Sequence, residues 1–384
     1  MLEKLKKSRK GRIENREKSR KSYSNVINLK KVINLKNFLV MRRKMLKNIL
    51  SRLVLGESLD EKEARQMMNN IMQGKVTSAQ IASFLTALRI KGETMEEIIG
   101  CARAMKENAA KLKKSYPLTL DTCGTGGDYK GTFNISTVVA LVVAGTGIKV
   151  AKHGNRGASS KSGSADVLEA LGVNINLTPP QVEECLEEVG IAFFFAPVFH
   201  PAMKFAIGPR REIGFRTIFN LLGPLTNPAG SKYQILGVYD ANLTELIAGA
   251  LCRLGVKEAM VVCGETGIDE ITLTGSTKIS RIKKGKVETF YIEPEELKLP
   301  RCELEDIQGG NAKINSEITL DILNGRGKNP QRNIVLVNAA AAFMVKGVVK
   351  DLKVGIQKAA ETIDSGAALR KLRELRNYTI RGLI

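Results

Sequence analysis

No apolar run in this 384-residue chain approaches the roughly 20 residues needed to cross a bilayer, which excludes a membrane span. There is no CxxC pair either. The six cysteines (Cys101, Cys123, Cys185, Cys252, Cys263, Cys302) are scattered, with only His153 and His200 available to join them, a pattern that argues against zinc and for a reducing, cytoplasmic setting. No internal repeat is evident, so a solenoid is not expected. No apolar signal core precedes a small-residue cleavage site, and Glu3, Glu14 and Glu17 do not suit a transit peptide.

What is abundant is positive charge. The formal net charge is +21, but residues 1–44 hold 16 Lys or Arg against 3 acids, which leaves about +8 for the other 340 residues. This first segment, rich in Asn and Ser and without a helical stripe, reads as a disordered extension. A start at Met41 or Met45 is the favoured reading. Nucleic acid is not expected as a partner, because the basic charge sits in the extension. The remaining length suits a smaller domain followed by a larger one.

From Met45 to about Ser115 the pattern is helical. Ser58 with Glu61, Thr77 with Gln80, and Thr94 with Glu97 each have capping-box spacing ahead of an apolar run, giving three or four short helices. Ile81, Phe84, Leu85 and Leu88 form one stripe, for the core or for a dimer face. After Pro117 strands and helices alternate: strand 118–123, helix 135–144, strand 148–152, helix 165–171, strand 173–177, then a helix opened by Thr178 and Pro179. Strands 191–196 and 233–239, helix 243–254 and strand 259–263 follow. Residues 270–292 read as strands around a Lys284 to Lys286 turn, and helices 338–345 and 352–363 close the chain. Such alternation predicts an α/β fold with a mainly parallel central sheet flanked by helices, over residues 116–384.

The chemistry concentrates between Asp121 and Asp166. Asp121-Thr-Cys-Gly124-Thr-Gly-Gly127-Asp128 leaves a strand into a glycine loop, and Asn134-Ile135-Ser136-Thr137 opens a helix. Glycines let backbone N–H groups approach a ligand, and a helix N-terminus favours negative charge; phosphate is the natural guest. An isolated GTGGD is equally well explained as a tight turn before a capped helix. Thr132 stands where a P-loop requires Lys, and Tyr129 where a dinucleotide fingerprint needs its third glycine. The next strand ends in Lys152-His153-Gly154-Asn155-Arg156-Gly157-Ala158-Ser159-Ser160, followed by Ser162-Gly163-Ser164-Ala165-Asp166. Singly, His153 reads as a structural histidine and Arg156 as a surface charge. Together, at the carboxyl edge of a parallel sheet, they are hard to explain as packing.

GTGGDYKGTFNIST, KHGNRGASSKSGSADVLEALG and RREIGFRTIFNLLGPLTNP resemble the anthranilate phosphoribosyltransferases, of the nucleoside phosphorylase and phosphoribosyltransferase class, over about Met45 to Leu375. The resemblance implies a small all-helical N-terminal domain (45–115, joined by part of 204–226) and a large α/β domain with substrate between them. It implies transfer of the phosphoribosyl group of 5-phosphoribosyl 1-pyrophosphate to the amine of anthranilate in tryptophan biosynthesis, and a homodimer formed through the helical domain. Gly124, Gly127, Asp128, Thr132, Asn134, Ile135, Ser136, Thr137, Lys152, His153, Gly154, Asn155, Arg156, Gly157, Ala158, Ser159, Ser160 and Ser164 are then expected around the phosphoribosyl pyrophosphate. Two Mg2+ ions are expected, one touching Ser136 and one at Asp269-Glu270. By themselves, two adjacent acids read as a solvated surface feature. Gly124, Asn155 and Arg210 are implied for anthranilate, with Arg211 the neighbouring competitor for pairing with its carboxylate. The stretch Lys204 to Thr226, with Gly208-Pro209 and Gly214, is expected to act as a hinge.

No residue is assigned as general acid or base: the amine is already unprotonated near neutral pH, and the chief demand is the departing anion. A pyrimidine nucleoside phosphorylase shares the fold and a KHGNR-like segment, but its first loop reads closer to STGGVGD. A nucleic-acid-binding relative of the same fold is the alternative from another class; KHGNR, NIST and Asp269-Glu270 argue against it.

Overall fold

The structure, a computed structural model, describes residues 1–9, 11, 41–157 and 160–381. Met1–Leu55 and Gly56–Ile384 are separate compact units. In the first, residues 2–9 and 41–54 are helical. This departs from the expected disordered extension at 2–9, and the helix over 41–54 runs straight through the anticipated 44/45 boundary. Residue 10 and residues 12–40 of that extension lie outside the described residues.

The second unit opens with three helices, α1 (Glu61–Met72), α2 (Ser78–Lys91) and α3 (Met95–Glu107), each started by a capping box. Thr77 with Gln80 and Thr94 with Glu97 cap as expected. At α1 the cap is Asp60 with Glu63 instead of Ser58 with Glu61, two residues further on, because Asp caps as well as Ser and its charge suits the helix N-terminus. Ile81, Phe84, Leu85 and Leu88 are at most 1% exposed within this one chain. The stripe is therefore core, and a dimer face must use other residues.

Strands β1 (Leu120–Gly124), β2 (Val150–Gly154) and β3 (Ile191–Phe195) alternate with helices α4 (Ile135–Gly145), α5 (Ser164–Ala170) and α6 (Pro179–Glu188). Helices α7 (Lys204–Ile213) and α8 (Ile218–Leu225) then pack back on the first helices, α7 on α2 and α8 on α3. The chain returns through β4 (Tyr233–Gly237), α9 (Leu243–Arg253), β5 (Glu258–Gly264) and the hairpin β6 (Thr277–Lys283) to β7 (Lys286–Ile292). Lys284 (φ 50°) and Gly285 (φ 75°) form its two-residue turn, both in the left-handed region that such hairpins require.

The sheet runs β3-β2-β1-β4-β5-β6-β7, parallel through β5 and antiparallel beyond. Strands β3 and β5 are almost wholly buried, as a strand covered on both faces must be. The chain winds outward from β1 to β3, then restarts beside β1 at β4. The resulting crevice lies at the carboxyl ends of β1 and β4, where Gly124 pairs with Gly237.

Three further expectations fail. The strand expected from residue 270 begins only at Thr277, because residues 270–276 form a loop. Residues 173–177 alternate buried and exposed but join no strand, because side chains satisfy their backbone: Asn174 N–H donates to Thr379 Oγ1 (3.1 Å) and Asn176 N–H to Asn174 Oδ1 (3.0 Å). The C-terminal region holds four helices instead of two: α10 (Ala312–Leu323), α11 (Asn329–Val345), α12 (Leu352–Asp364) and α13 (Ala367–Thr379). Helix α11 is buried continuously from Ile334 to Phe343, so no amphipathic period marks where it begins.

Candidate active site

The crevice is built from its floor. Asp121 on β1 is fully buried and faces inward, accepting His153 N–H (3.2 Å) and Asn227 Nδ2 (2.8 Å). It ties β1 to β2 and does not face a ligand. Burial pushes its carboxyl up to about 6, against the opposing pull of Lys152. Lys152 is buried, donates to the Thr122 carbonyl (2.6 Å) and reaches Ser136 Oγ at 3.3 Å. The ring of His153 lies 5.2 Å from that of His200. Burial first, then the neighbouring imidazole, pushes His153 down to about 3, so it is neutral at working pH and reads as structural.

Above the floor the glycine loop meets the acids. Gly126 N–H donates to Asp269 Oδ2 (2.9 Å), and Ser136 N–H, in the first turn of α4, donates to Glu270 Oε1 (3.1 Å). The helix N-terminus that the sequence offers to a phosphate thus already holds a carboxyl group, Glu270. The acids are placed by a loop and not by a strand, since Ile268–Gly275 belongs to no element. A Cβ on Gly124 would overlap Asp269 Oδ2, and one on Gly237 would overlap the Asp269 carbonyl oxygen. Only glycine at both strand ends admits Asp269 over the crevice.

The second loop is braced from within. Asp166 Oδ2 accepts Gly157 N–H and Gly163 N–H, both at 2.8 Å, and Oδ1 accepts Arg156 Nη1 (2.9 Å). Arg156 also pairs with Glu169 (2.8 Å), so its guanidinium is engaged by acids in this structure. The pair is half-exposed and worth at most about 1 kcal/mol, little enough for an anionic ligand to compete. Asn155 Oδ1 accepts Arg156 N–H (2.8 Å), and Ser164 Oγ sits against Gly154, where a Cβ would not fit. Ser160 Oγ donates to the Ser162 carbonyl (3.2 Å). Ala158 and Ser159, expected around the ligand, lie outside the described residues.

Three expected positions are less direct. Ile135 and Thr137 are buried to 1%, and Thr137 N–H is taken by Asn134 O (2.9 Å). Thr132 forms an isolated bridge with Gln308. Asn134 serves the fold as well, accepting Asn315 Nδ2 (2.8 Å) and donating to Ser162 O (3.1 Å). On α7, the Arg210 guanidinium lies 5.1 Å over the Phe219 ring and has no hydrogen bond or ion pair among the described residues; burial lowers its pKa. Arg211 is exposed. No hydrogen bond joins Arg210 to Gly124 or Asn155 among the described residues.

Sequence reasoning missed two residues that position this site. Arg216 donates from Nη1 to the Gly127 carbonyl (2.9 Å) and is held between Tyr239 (4.0 Å to the ring centre) and Tyr129 (5.4 Å). Asn338 on α11 accepts Ile271 N–H (3.0 Å) and donates to Ile271 O (2.8 Å), fixing the residue after Glu270. The only sequence signal for Asn338 is one amide inside an apolar helix. Asn338→Leu leaves two buried backbone groups unpaired and is expected to cost about 2–6 kcal/mol, read from the shift in urea midpoint. A variant as stable as wild type would remove this role.

Comparison with known proteins places the site in a class. Residues 116–369 match the family model described as "Glycosyl transferase family, a/b domain", and residues 47–109 match "Glycosyl transferase family, helical bundle domain". The fold is that of this two-part glycosyl transferase class. Anthranilate phosphoribosyltransferases of Acetivibrio thermocellus and Moorella thermoacetica are 55% and 54% identical over 87% and 86% of this chain, and 97% of each relative. The crystal structure of the Thermus thermophilus enzyme is similar, with a TM-score of 0.81 and 43% identity over 86% of this chain and 99% of that one. A Saccharomyces cerevisiae structure "in complex with PRPP and Mg" has a TM-score of 0.79 and 30% identity over 87% and 97%. The chain belongs to the anthranilate phosphoribosyltransferase family.

The residues present fit magnesium. Asp128 Oδ2 is buried with no hydrogen-bond partner among the described residues. Burial, then the charge of Asp128, pushes Asp269 up to about 7. Glu270 is raised well above the usual range by burial and by Asp269. Asp128, Asp269 and Glu270 offer oxygen donors of the kind a hard cation takes, but among the described residues they do not close into a three-ligand site, so waters and substrate oxygens would complete the shell.

Proposed function

We propose that the crevice between β1 and β4 holds 5-phosphoribosyl 1-pyrophosphate with two Mg2+ ions, and that anthranilate enters from the side of α7. The observation that supports this reading is that Asp269 and Glu270 are held against the glycine loop and the start of α4 by Gly126 N–H and Ser136 N–H, beside an Asp128 Oδ2 with no hydrogen-bond partner among the described residues. Asp269 and Glu270 would hold one ion and the Ser136 hydroxyl would touch the other. Bound magnesium supplies charge neutralisation for the departing pyrophosphate.

The chain's own residues bind, orient and exclude water. Gly124, Gly127 and Asp128 border the diphosphate; Lys152 to Gly157, Ser160 and Ser164 surround the phosphoribosyl group. Arg210, with no acid of its own, pairs with the anthranilate carboxylate, and Asn155 orients the ring. The amine nitrogen attacks the ribose carbon as the carbon–oxygen bond to pyrophosphate breaks, and the nitrogen gives up one proton to solvent. Proximity supplies much of the rate. No side chain is assigned as base.

The test follows anthranilate fluorescence after adding 5-phosphoribosyl 1-pyrophosphate and magnesium to the full chain. Loss of the signal is expected; its persistence with a folded sample overturns the reading. Arg210→Ala removes a charge-assisted hydrogen bond worth about 1.5–3 kcal/mol, so KM for anthranilate is expected to rise on the order of 10- to 100-fold with a smaller change in kcat. An unchanged KM removes Arg210 from the anthranilate site. The assembly is proposed to be a cytoplasmic homodimer formed through the helical part, checked by light scattering of the purified chain.

A further inference from the structure

The glycine loop is anchored at both ends. On one side Thr125 N–H donates to Gly237 O (2.9 Å) and Gly126 N–H to Asp269 Oδ2 (2.9 Å); on the other Gly131 O accepts Gly309 N–H (2.8 Å). Over residues 127–129 between them, the one main-chain hydrogen bond from beyond the loop, among the described residues, is that of Arg216 Nη1 to the Gly127 carbonyl (2.9 Å). Arg216 stands in the connection from α7 to α8.

Tyr129 is the odd residue of this loop. Gly126, Gly127 and Gly131 have φ of 63°, 75° and 69°, and Tyr129 has 56°. Glycine is free in that region; a tyrosine there is strained. Its side chain gains little from burial, since Tyr129 is 68% exposed, and such strain persists only where surrounding contacts hold it. The contact it has is Arg216, whose guanidinium lies 5.4 Å from the centre of the Tyr129 ring and 4.0 Å from that of Tyr239, two residues past the end of β4. Among the described residues the guanidinium pairs with no acid, only with these rings and the Gly127 carbonyl.

The direction of the hydrogen bond matters. In a trans peptide the carbonyl and the following N–H point opposite ways. With Gly127 O drawn towards Arg216, Asp128 N–H is turned to the other side, on the residue whose Oδ2 is without a partner.

We propose that Arg216 is a positioning residue for the diphosphate of 5-phosphoribosyl 1-pyrophosphate: sandwiched by Tyr129 and Tyr239, it holds the Gly127 carbonyl away from the anion and so turns Asp128 N–H towards it. Tyr129 bears a left-handed backbone because its ring completes that grip. This rests on the glycine loop's bordering the diphosphate. The grip serves one substrate only, because Arg210, at the other end of the same connection, rests on Phe219.

Steady-state kinetics on the full chain, with each substrate varied in turn, tests the assignment. Arg216→Met is expected to raise KM for 5-phosphoribosyl 1-pyrophosphate on the order of tenfold, the worth of one charge-assisted hydrogen bond. KM for anthranilate is expected to stay within about twofold, the reverse of the split for Arg210→Ala. Arg216→Lys keeps a donor and a charge over the rings and is expected to recover part of the loss. A merely structural role would raise both KM values together, lower the unfolding temperature and show no recovery with Lys; that result overturns the proposal.

Tyr129 gives a second test that leaves the half-buried Arg216 in place. Asn tolerates left-handed φ, so Tyr129→Asn is expected to unfold no lower than wild type and yet to raise KM for 5-phosphoribosyl 1-pyrophosphate. Tyr129→Phe, which keeps the ring, is expected to raise it less. A wild-type KM in Tyr129→Asn shows that the ring completes no grip, and the proposal fails. Because the two side chains act on one contact, Arg216→Met with Tyr129→Asn is expected to raise KM by less than the product of the single effects; full multiplication overturns the coupling. The underlying site is tested apart from the grip: unchanged kcat/KM in Asp269→Asn with Glu270→Gln removes the diphosphate from this loop, whereas impairment there beside a wild-type Arg216→Met removes the grip alone.

Discussion

Asp269→Asn combined with Glu270→Gln will lower magnesium-dependent kcat/KM on the order of a thousandfold and, at the same time, raise the unfolding temperature of the metal-free protein. The two effects have one cause. Both amides keep the shape of the site: an Asn at 269 still offers an oxygen to Gly126 N–H, and a Gln at 270 still offers one to Ser136 N–H. What they remove is negative charge. Without a cation, burial opposes the ionised form of each carboxyl group, so neutral amides relieve the folded state. With the cation the same carboxylates are its ligands, and several kcal/mol of charge stabilisation is lost, at 1.36 kcal/mol for each tenfold in rate. Steady-state kinetics against magnesium, with calorimetry in chelator, measures both. Unchanged kcat/KM, or a less stable apo-protein, would refute the placement of the metal.

What was readable in the sequence was what neighbours in the chain determine. The glycine loop, the Thr77 and Thr94 caps and the strand–helix alternation all have local causes: backbone freedom, unpaired N–H groups and the period of the apolar residues. The carboxyl edge of a parallel sheet was legible too, but not the strand order, which sets β4 beside β1 and opens the crevice between them. What was not readable depends on residues far apart. Glu270 meets Ser136 across 134 residues and Arg216 meets Gly127 across 89, and no period records such pairs. The helix N-terminus looked free for a phosphate because nothing nearby shows that an acid from beyond β5 already stands there. Residues 173–177 were misread for the opposite reason. Their alternating burial is real, but the Asn174 and Thr379 side chains take the backbone bonds that a strand would need. The resemblance alone joins Arg210 to the two loops; in the structure Arg210 rests on Phe219.

The paired glycines at the switch point separate folding from catalysis. Gly237→Ala is expected to destabilise the chain by more than about 4 kcal/mol, because its Cβ would overlap the Asp269 backbone carbonyl. That oxygen is held in a loop pinned one side by Asn338 and cannot retreat without breaking the Ile271 bonds. Gly124→Ala meets only the Asp269 side chain, at its Oδ2. A carboxylate can turn about its χ angles, so the fold is expected to survive within about 1–2 kcal/mol. The turned carboxylate gives up Gly126 N–H and moves off its position over the loop. A displacement on the order of 1 Å in a positioning group costs about 100-fold in rate, so Gly124→Ala should fold, bind anthranilate poorly at best and turn over slowly at saturating magnesium. Urea unfolding and kcat on the two variants distinguish the cases. If Gly237→Ala is as stable as Gly124→Ala, Asp269 does not lie over the end of β4, and the crevice would have to be rebuilt around a different acid.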